Sequence, residues 1–190
     1  MNGEIIVFSG YAGAGKNSII NEILTKFQDL EYIPSVTTRK MREGESPGNP
    51  YYFFDLDQFN EARINGKFIE AENIHGNWYG TIKDKYEESM KQGRKVIKDI
   101  DVNGAIRFKE LFGENVYLVF VKPSNDEDVI DRMIKRGDSK EDIEKRLERI
   151  EYEKSLEKFF DTTIINDNLE EAVKQAEKVV GERVNGNKNN

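Results

Sequence analysis

The apolar positions change period along the chain, and the changes mark out its elements. Residues 4–9 carry the unbroken run Ile5-Ile6-Val7-Phe8, the pattern of a strand buried on both faces, and residues 16–28 then place Ile19, Ile20, Ile23 and Leu24 at helical spacing. Residues 31–38, with Tyr32, Ile33, Val36 and two threonines, read as a second strand, after which Pro47, Gly48 and Pro50 mark a loop. From Tyr51 the texture becomes shorter and more aromatic. Tyr51-Tyr52-Phe53-Phe54 is strand-like, and Asp55 and Gln58 have capping-box spacing ahead of a helix that Gly66 stops. Phe68-Ile69-Glu70-Ala71-Glu72 is another strand, and His75-Gly76-Asn77 turns into Trp78-Tyr79-Gly80-Thr81. Strand and helix then alternate again: 84–92 helical, 95–100 a strand, 104–111 helical, 116–121 a strand closed by Pro123. A helix capped by Ser124 or Asn125 runs to Arg136-Gly137-Asp138, a long charged helix covers 140–158, and 162–165 form a last strand. Leu169, Val173, Ala176 and Val180 give the closing helix an apolar stripe, and 181–190 read as a polar, disordered tail.

Five strands joined by helical connections imply an α/β fold: a three-layer core on a five-stranded parallel sheet with right-handed crossovers, carrying a small α+β insertion. In such sheets ligands bind beyond the carboxyl ends of the strands. Residues 10–18, Ser35 to Arg42, Asp99 with Asp101, and Asn166-Asp167 all fall at predicted strand ends of that kind, so one cleft can collect them.

Composition narrows the class. A chain of 190 residues suits one compact domain with inserted subdomains. It is 37% hydrophobic and 34% charged, with no apolar run near the ~20 residues that a membrane span needs. Met1-Asn2-Gly3-Glu4 has no basic region followed by an apolar one, so no secretory signal is expected, no membrane partner either, and a cytoplasmic location is. Without cysteine there is neither a disulfide framework nor a thiolate metal site. The net charge of −7 argues against a nucleic-acid partner, so a polyanionic ligand must meet a locally basic cleft.

Gly10-Tyr11-Ala12-Gly13-Ala14-Gly15-Lys16-Asn17-Ser18, between a strand and a helix, has the pattern of a phosphate-binding loop. The glycines let successive amides point inward, the helix adds its N-terminal partial charge, and Lys16 adds a full one. The position after the lysine, where such loops place a metal-binding hydroxyl, is Asn17. An amide oxygen or an interposed water takes the hydroxyl's place, or else metal affinity and turnover are impaired.

Arg39 and Arg42, three residues apart and downstream of Ser35 and two threonines, are either a solvated pair or guanidinium forks for a second phosphate; their position after a strand beside the loop favours the second. Asp99 and Asp101, at i and i+2 of a strand end, are an acid–base pair, a metal and substrate site, or a strand terminus facing water, with metal-bound water for one and substrate contact for the other preferred. Arg132, Lys135, Arg136, Lys145, Arg146 and Arg149 surround the long charged helix; most belong to its solvated face, but Arg136 and Arg146 can close over a transferred phosphoryl group. Together these suggest phosphoryl transfer between two nucleotides. An acceptor phosphate, with a second ionisation near ~6, is its own nucleophile and needs no general base. The only histidine, His75, stands among turn residues and is expected to be neither catalytic nor a ligand.

The ordered set of motifs, from the 10–18 loop through Ser35-Val36-Thr37-Thr38-Arg39, Gly44-Glu45, Gly76-Asn77-Trp78-Tyr79-Gly80-Thr81, Asp99-Ile100-Asp101, Arg136-Gly137 and Lys145-Arg146 to Ile165-Asn166-Asp167, resembles the guanylate kinase family over almost the whole chain. The resemblance implies transfer of the ATP γ-phosphoryl group to GMP with Mg²⁺, giving ADP and GDP. It implies a core of 1–35, 89–125 and 159–181, a GMP-binding subdomain of 36–88, a lid of 126–158 and a tail of 182–190. By similarity Gly10, Tyr11, Ala12, Gly13, Ala14, Gly15, Lys16, Asn17 and Ser18 bind ATP, with Arg132 and Asn166 near the adenine. Ser35, Arg39, Arg42 and Tyr51 hold the GMP phosphate, Tyr79 closes that pocket, and Glu70, Thr81 and Asp101 read guanine. Lys16, Arg42, Arg136 and Arg146 serve the transfer, and Asn17 and Asp99 hold the metal, the latter through water and also beside GMP. The partners implied are ATP, GMP and dGMP, in a monomer or homodimer. Asn17, Ala71, Trp78 and Asn103 depart from the residues common in the family. Asn17 leaves a second reading, a catalytically impaired binding module built on the same fold.

Overall fold

A computed structural model describes residues 3–11, 13–74, 76–125, 127–137 and 139–185. Glu4–Gly10 (β1) is buried along its length because it is the middle strand of a five-stranded parallel sheet. Leu30–Tyr32 (β2) and Lys95–Asp99 (β7) lie on one side of it, Val116–Lys122 (β8) and Thr162–Ile165 (β9) on the other, in the order β2-β7-β1-β8-β9. Strand alternation sends Ile5 and Val7 to one face and Ile6 and Phe8 to the other. On the first face Val96, Tyr86, Met90, Ala105, Phe108 and Leu118 join helices Lys83–Lys91 (α3) and Val102–Phe112 (α4) to the sheet. The second face packs Ile19, Ile20 and Ile23 of Lys16–Lys26 (α1) with Ala172, Val173, Ala176 and Val180 of Leu169–Asn185 (α7). The expected three-layer α/β core is present.

The expected strand over 31–38 is two strands in two sheets. Pro34 has no N–H for a ladder, so the chain leaves the main sheet after Tyr32, and Val36–Thr37 (β3) joins a second sheet with Tyr52–Phe53 (β4), Phe68–Ile74 (β5) and Asn77–Ile82 (β6), ordered β4-β3-β6-β5. Leu56–Ile64 (α2) covers it. Its capping box is the one read from Asp55 and Gln58: the Gln58 amide donates to Asp55 Oδ1 at 2.8 Å and the Asp55 amide to Gln58 Oε1 at 3.0 Å. Phe59 of α2 is fully buried and stacks on Phe68 at 4.6 Å and Trp78 at 5.7 Å. Gly80 makes room, since a Cβ there would stand 2.9 Å from the Phe68 ring.

Glu127–Arg136 (α5) and Lys140–Leu156 (α6) follow β8, and Val129 and Ile150 anchor them in the core. Two tail expectations change. The final helix continues through Asn185 because Arg183 pairs with Glu4 and lies 4.5 Å over the Tyr117 ring, while its carbonyl accepts from Lys95. Leu169, placed on the apolar stripe, is 44% exposed at the start of that helix, and Ala172 fills the core position. Residues 186–190 lie outside the described residues. Among the described residues no helix is long and apolar enough to cross a membrane.

Candidate active site

The phosphate-type loop leaves β1 at Gly10, where a side chain has no room: with φ +120°, a Cβ would lie 2.1 Å from the Val121 carbonyl oxygen of β8. The Tyr11 amide donates to that carbonyl, and its ring packs edge-on against Phe120 at 5.7 Å. Gly15 (φ 84°) ends the loop as the N-cap of α1 and supplies no side-chain cap, so first-turn amides stay available to an anion. Lys16 Nζ donates to the carbonyls of Gly10 at 2.9 Å and Tyr11 at 2.8 Å, which lays the side chain back along the loop. Gly13, Asn17 and Ser18 are exposed and Ala14 is buried, while Ala12 lies outside the described residues. Asn166, expected near adenine, is 5% exposed and donates its amide to the Ala14 carbonyl at 2.6 Å. It braces the loop from the end of β9.

A second cluster forms where the chain leaves β2 and enters the small sheet. Arg39 makes a two-pronged ion pair with Glu45, its two terminal nitrogens lying 3.1 and 2.8 Å from the two carboxylate oxygens. The guanidinium sits 5.7 Å from the rings of both Tyr51 and Phe53, and Tyr51 meets Tyr79 edge-on at 5.6 Å. The Arg39 guanidinium holds the Glu45 carboxyl below its usual range, with help from the Arg42 amide, which donates to Glu45 at 2.7 Å. Glu45 was in the motif but without a role; its spacing of six residues from Arg39 carries no periodic signal. The Arg42 side chain is exposed.

At the far side of the small sheet, Glu70 and Thr81 are cross-strand neighbours, and the threonine hydroxyl donates to Glu70 Oε1 at 2.7 Å. A hydroxyl has one proton, so here Thr81 orients the carboxylate, and donating to a guanine oxygen requires that bond to be released. Burial raises the Glu70 carboxyl above its usual range, opposed by the Thr81 hydrogen bond, with Asp101 pushing it up and Lys98 down. A cavity of about 310 Å³ opens beside Ala71, between Glu72, Asn103 and Arg107, where the resemblance leads one to expect an aromatic side chain.

Asp99 and Asp101 do not form the strand-face pair expected from their spacing. β7 ends at Asp99, and Asp101 turns away to cap α4, its Oδ1 accepting from the amides of Asn103 at 2.8 Å and Gly104 at 3.0 Å. Asp99 Oδ1 accepts the Tyr32 hydroxyl at 2.7 Å, which leaves its second oxygen for a ligand. Asn17 and Asp99 offer oxygen donors, the chemistry that a hard divalent cation takes. Lys98 Nζ donates to Ser35 Oγ at 2.7 Å, a buried contact that the sequence reading missed, although a lone lysine inside Val96-Ile97-Lys98 was its visible trace.

Helix α5 carries Arg132, Lys135 and Arg136, and α6 carries Lys145 and Arg146; these five side chains, and His75, lie outside the described residues. Arg149 is exposed and pairs one helical turn on with Glu153 at 2.9 Å, and the Tyr152 hydroxyl donates to Asn103 Oδ1 at 2.7 Å, tying α6 to the first turn of α4.

Comparison with known proteins places this geometry. The family model described as guanylate kinase matches residues 2–183. The guanylate kinase of Chlorobium chlorochromatii is 41% identical over 181 residues, covering 94% of this chain and 95% of the relative. That of Chlorobium luteolum is 41% identical over 172 residues, covering 90% and 87%. A crystal structure of guanylate kinase from Anaplasma phagocytophilum superposes with a TM-score of 0.73 at 29% identity, covering 95% of this chain and 86% of that one.

Proposed function

The chain belongs to the guanylate kinase family, and we propose a division of labour within it in which the loop after β1 takes ATP and the small sheet takes GMP. The activity is ATP-dependent phosphorylation of GMP, as the relatives' shared name implies. That name favours the enzyme over the impaired binding module. The observation that carries the reading is the end-to-end match, which includes both the loop and the insertion in one ordered chain.

In this reading the core is 1–35, 89–125 and 159–185, the last bound moved from 181 by the contacts of Arg183, the GMP-binding subdomain is 36–88 and the lid 126–158. The 10–18 loop cradles the donor phosphates with amides other than those of Tyr11 and Ala14, which donate to the Val121 and Tyr11 carbonyls, and Lys16 adds a point charge. Ser35, Arg39, Arg42 and Tyr51 hold the GMP phosphate, and Tyr79 walls it. Glu70 accepts from the N1–H and N2–H₂ of guanine. Adenine has an acceptor at N1 and would leave Glu70 with only the Thr81 hydrogen bond, a mismatch of a kind that discriminates by about 10⁴ or more. The acceptor phosphate, largely dianionic at neutral pH, attacks the γ-phosphorus without a general base. Arg136 of α5 and Arg146 of α6 are the groups assigned to neutralise the transferring phosphoryl, and Arg132 the one assigned to adenine. Asn17, and Asp99 through water, would hold Mg²⁺, which would supply charge neutralisation at the donor phosphates. We take dGMP as a second acceptor, the cytoplasm as the compartment, a monomer or homodimer as the working form, and no nucleic-acid or membrane partner.

The test is ADP formation by the full chain with ATP and Mg²⁺ as GMP, dGMP, AMP and UMP are compared. GMP-dependent turnover with AMP and UMP strongly disfavoured is expected. A preference for AMP or UMP would refute the role given to Glu70.

A further inference from the structure

Lys98 is 2% exposed in the middle of the molecule. It shares a strand face with Val96, which packs among Tyr86, Met90, Ala105 and Phe108, so an apolar side chain would suit the site. Burying an ammonium costs free energy unless it is paired and hydrogen-bonded. Among the described residues its hydrogen bond goes to Ser35 Oγ at 2.7 Å, it lies 5.6 Å from the Tyr32 ring centre, and the carboxylates facing it are Asp99 and Glu70.

The direction of that bond has a consequence for Ser35. An ammonium carries three donors and no acceptor, so the serine oxygen must accept, and its own single proton must point elsewhere. The Ser35 backbone is fixed as well, since its carbonyl accepts from the Tyr52 amide at 2.9 Å. A serine hydroxyl left to itself rotates and serves equally as donor or acceptor. Accepting from Lys98 occupies one of its two lone pairs and polarises the O–H, which makes its proton a stronger donor, the arrangement that suits an anionic oxygen.

We propose that Lys98 is a positioning residue for the acceptor nucleotide: it orients and polarises the Ser35 hydroxyl so that it donates to the acceptor's phosphate. This rests on the reading that Ser35 holds the GMP phosphate. The competing account is a lysine that merely balances Glu70 and Asp99 inside the fold.

The experiment is a double-mutant cycle of Lys98→Met and Ser35→Ala in the full chain, with KM for GMP, KM for ATP and kcat measured and thermal melting as the control for folding. Lys98→Met is expected to raise KM for GMP about tenfold, the loss of a hydrogen bond to a charged group, while KM for ATP stays within about twofold and kcat changes less than KM. In the Ser35→Ala background the same change adds less than about twofold, because the two residues act as one unit. Methionine fills the volume but leaves Asp99 and Glu70 without their facing cation, so thermal melting serves to show that the variant is folded and not to test the role; Lys98→Leu repeats the cycle if Lys98→Met does not fold. An unchanged KM for GMP, equal losses in both backgrounds, or a parallel loss in both KM values and kcat overturns the proposal. Absence of GMP-dependent turnover in the parent protein overturns the functional reading instead.

Discussion

Glu70 and Thr81 face each other across β5 and β6 and share a 2.7 Å hydrogen bond in which the carboxylate is the acceptor. The carboxylate therefore keeps three lone-pair directions for guanine only while it is ionised. Burial lifts its pKa, so protonation on acidification begins earlier than for an exposed glutamate, and KM for GMP should climb as pH falls from neutrality. The GMP phosphate also titrates, near ~6. Glu70→Gln separates the two: KM for GMP at neutral pH should rise about 10²-fold or more, and the acid limb that remains should be the phosphate's alone. Identical limbs in both proteins would contradict the role of Glu70.

The same shift makes Glu70 a stability cost at neutral pH. Its folded pKa lies above its unfolded one, so between the two the folded chain binds more protons, and stability falls as pH rises through that window. Glu70→Gln should accordingly raise the melting temperature at pH ~7 by a few degrees at most, with the gain fading at pH below ~4, where glutamate is protonated in both states. Melting curves across pH check it, and a gain that grows on acidification would reverse the sign argued here.

Arg39 lies 5.7 Å from the rings of both Tyr51 and Phe53, with two of its donors on Glu45 and one on the Lys40 carbonyl. Five donors in a rigid fork leave room for a phosphate beside Glu45. Arg39→Ala should weaken GMP binding by about 10²-fold and leave ATP binding within about twofold, the two sites being separate. Calorimetry with each nucleotide decides; equal losses would mean that the two phosphate sites are not independent.

Local signals carried most of the fold. The run Ile5-Ile6-Val7-Phe8, the glycine loop before Lys16 and the Asp55/Gln58 box are each written within a few residues, and each is present as read. What failed was non-local. Tyr32 and Val36 look like one strand until Pro34 sends them to different sheets, and which sheet accepts a strand depends on partners far along the chain. Asp101 was legible as a helix cap, an aspartate just before Val102, but its spacing from Asp99 drew attention to a pair that the turn dissolves. The contacts of Lys98 with Ser35 and Tyr32 with Asp99 join residues more than sixty positions apart, and no periodicity reports them. Helices α5 and α6 are legible as elements, while the side chains of Arg136 and Arg146, assigned to the transfer, lie outside the described residues.

The loop's two exposed-looking glycines should differ on substitution. Both Gly13 and Gly15 have left-handed φ, which costs an alanine about 1–2 kcal/mol. A Cβ at Gly13 meets nothing within 4 Å, whereas one at Gly15 would lie 2.4 Å from Asn166 Nδ2, the atom that braces Ala14. Gly15→Ala should therefore raise KM for ATP more than Gly13→Ala does, by about tenfold, with KM for GMP little affected in either. Steady-state kinetics with each nucleotide varied tests the order, and equal effects would show that backbone strain, not the close approach of Asn166, limits the position.

Asn17 sits in the first turn of α1, exposed, where loops of this pattern place a hydroxyl on the metal. An amide oxygen is a neutral donor that Mg²⁺ accepts, but it projects one bond further than a serine hydroxyl and is not interchangeable with it in a tight octahedral shell. If the amide serves in place of the hydroxyl, Asn17→Ser should change kcat by no more than about threefold, and Asn17→Ala should raise the Mg²⁺ concentration for half-maximal rate by about tenfold. If water already bridges the position, Asn17→Ala should leave the Mg²⁺ requirement unchanged, which would remove Asn17 from the metal site. A Mg²⁺ titration of GMP-dependent turnover for the parent and both variants separates these outcomes. A serine variant faster by orders of magnitude would instead identify the asparagine as a brake on a metal site that otherwise retains Asp99 and the loop.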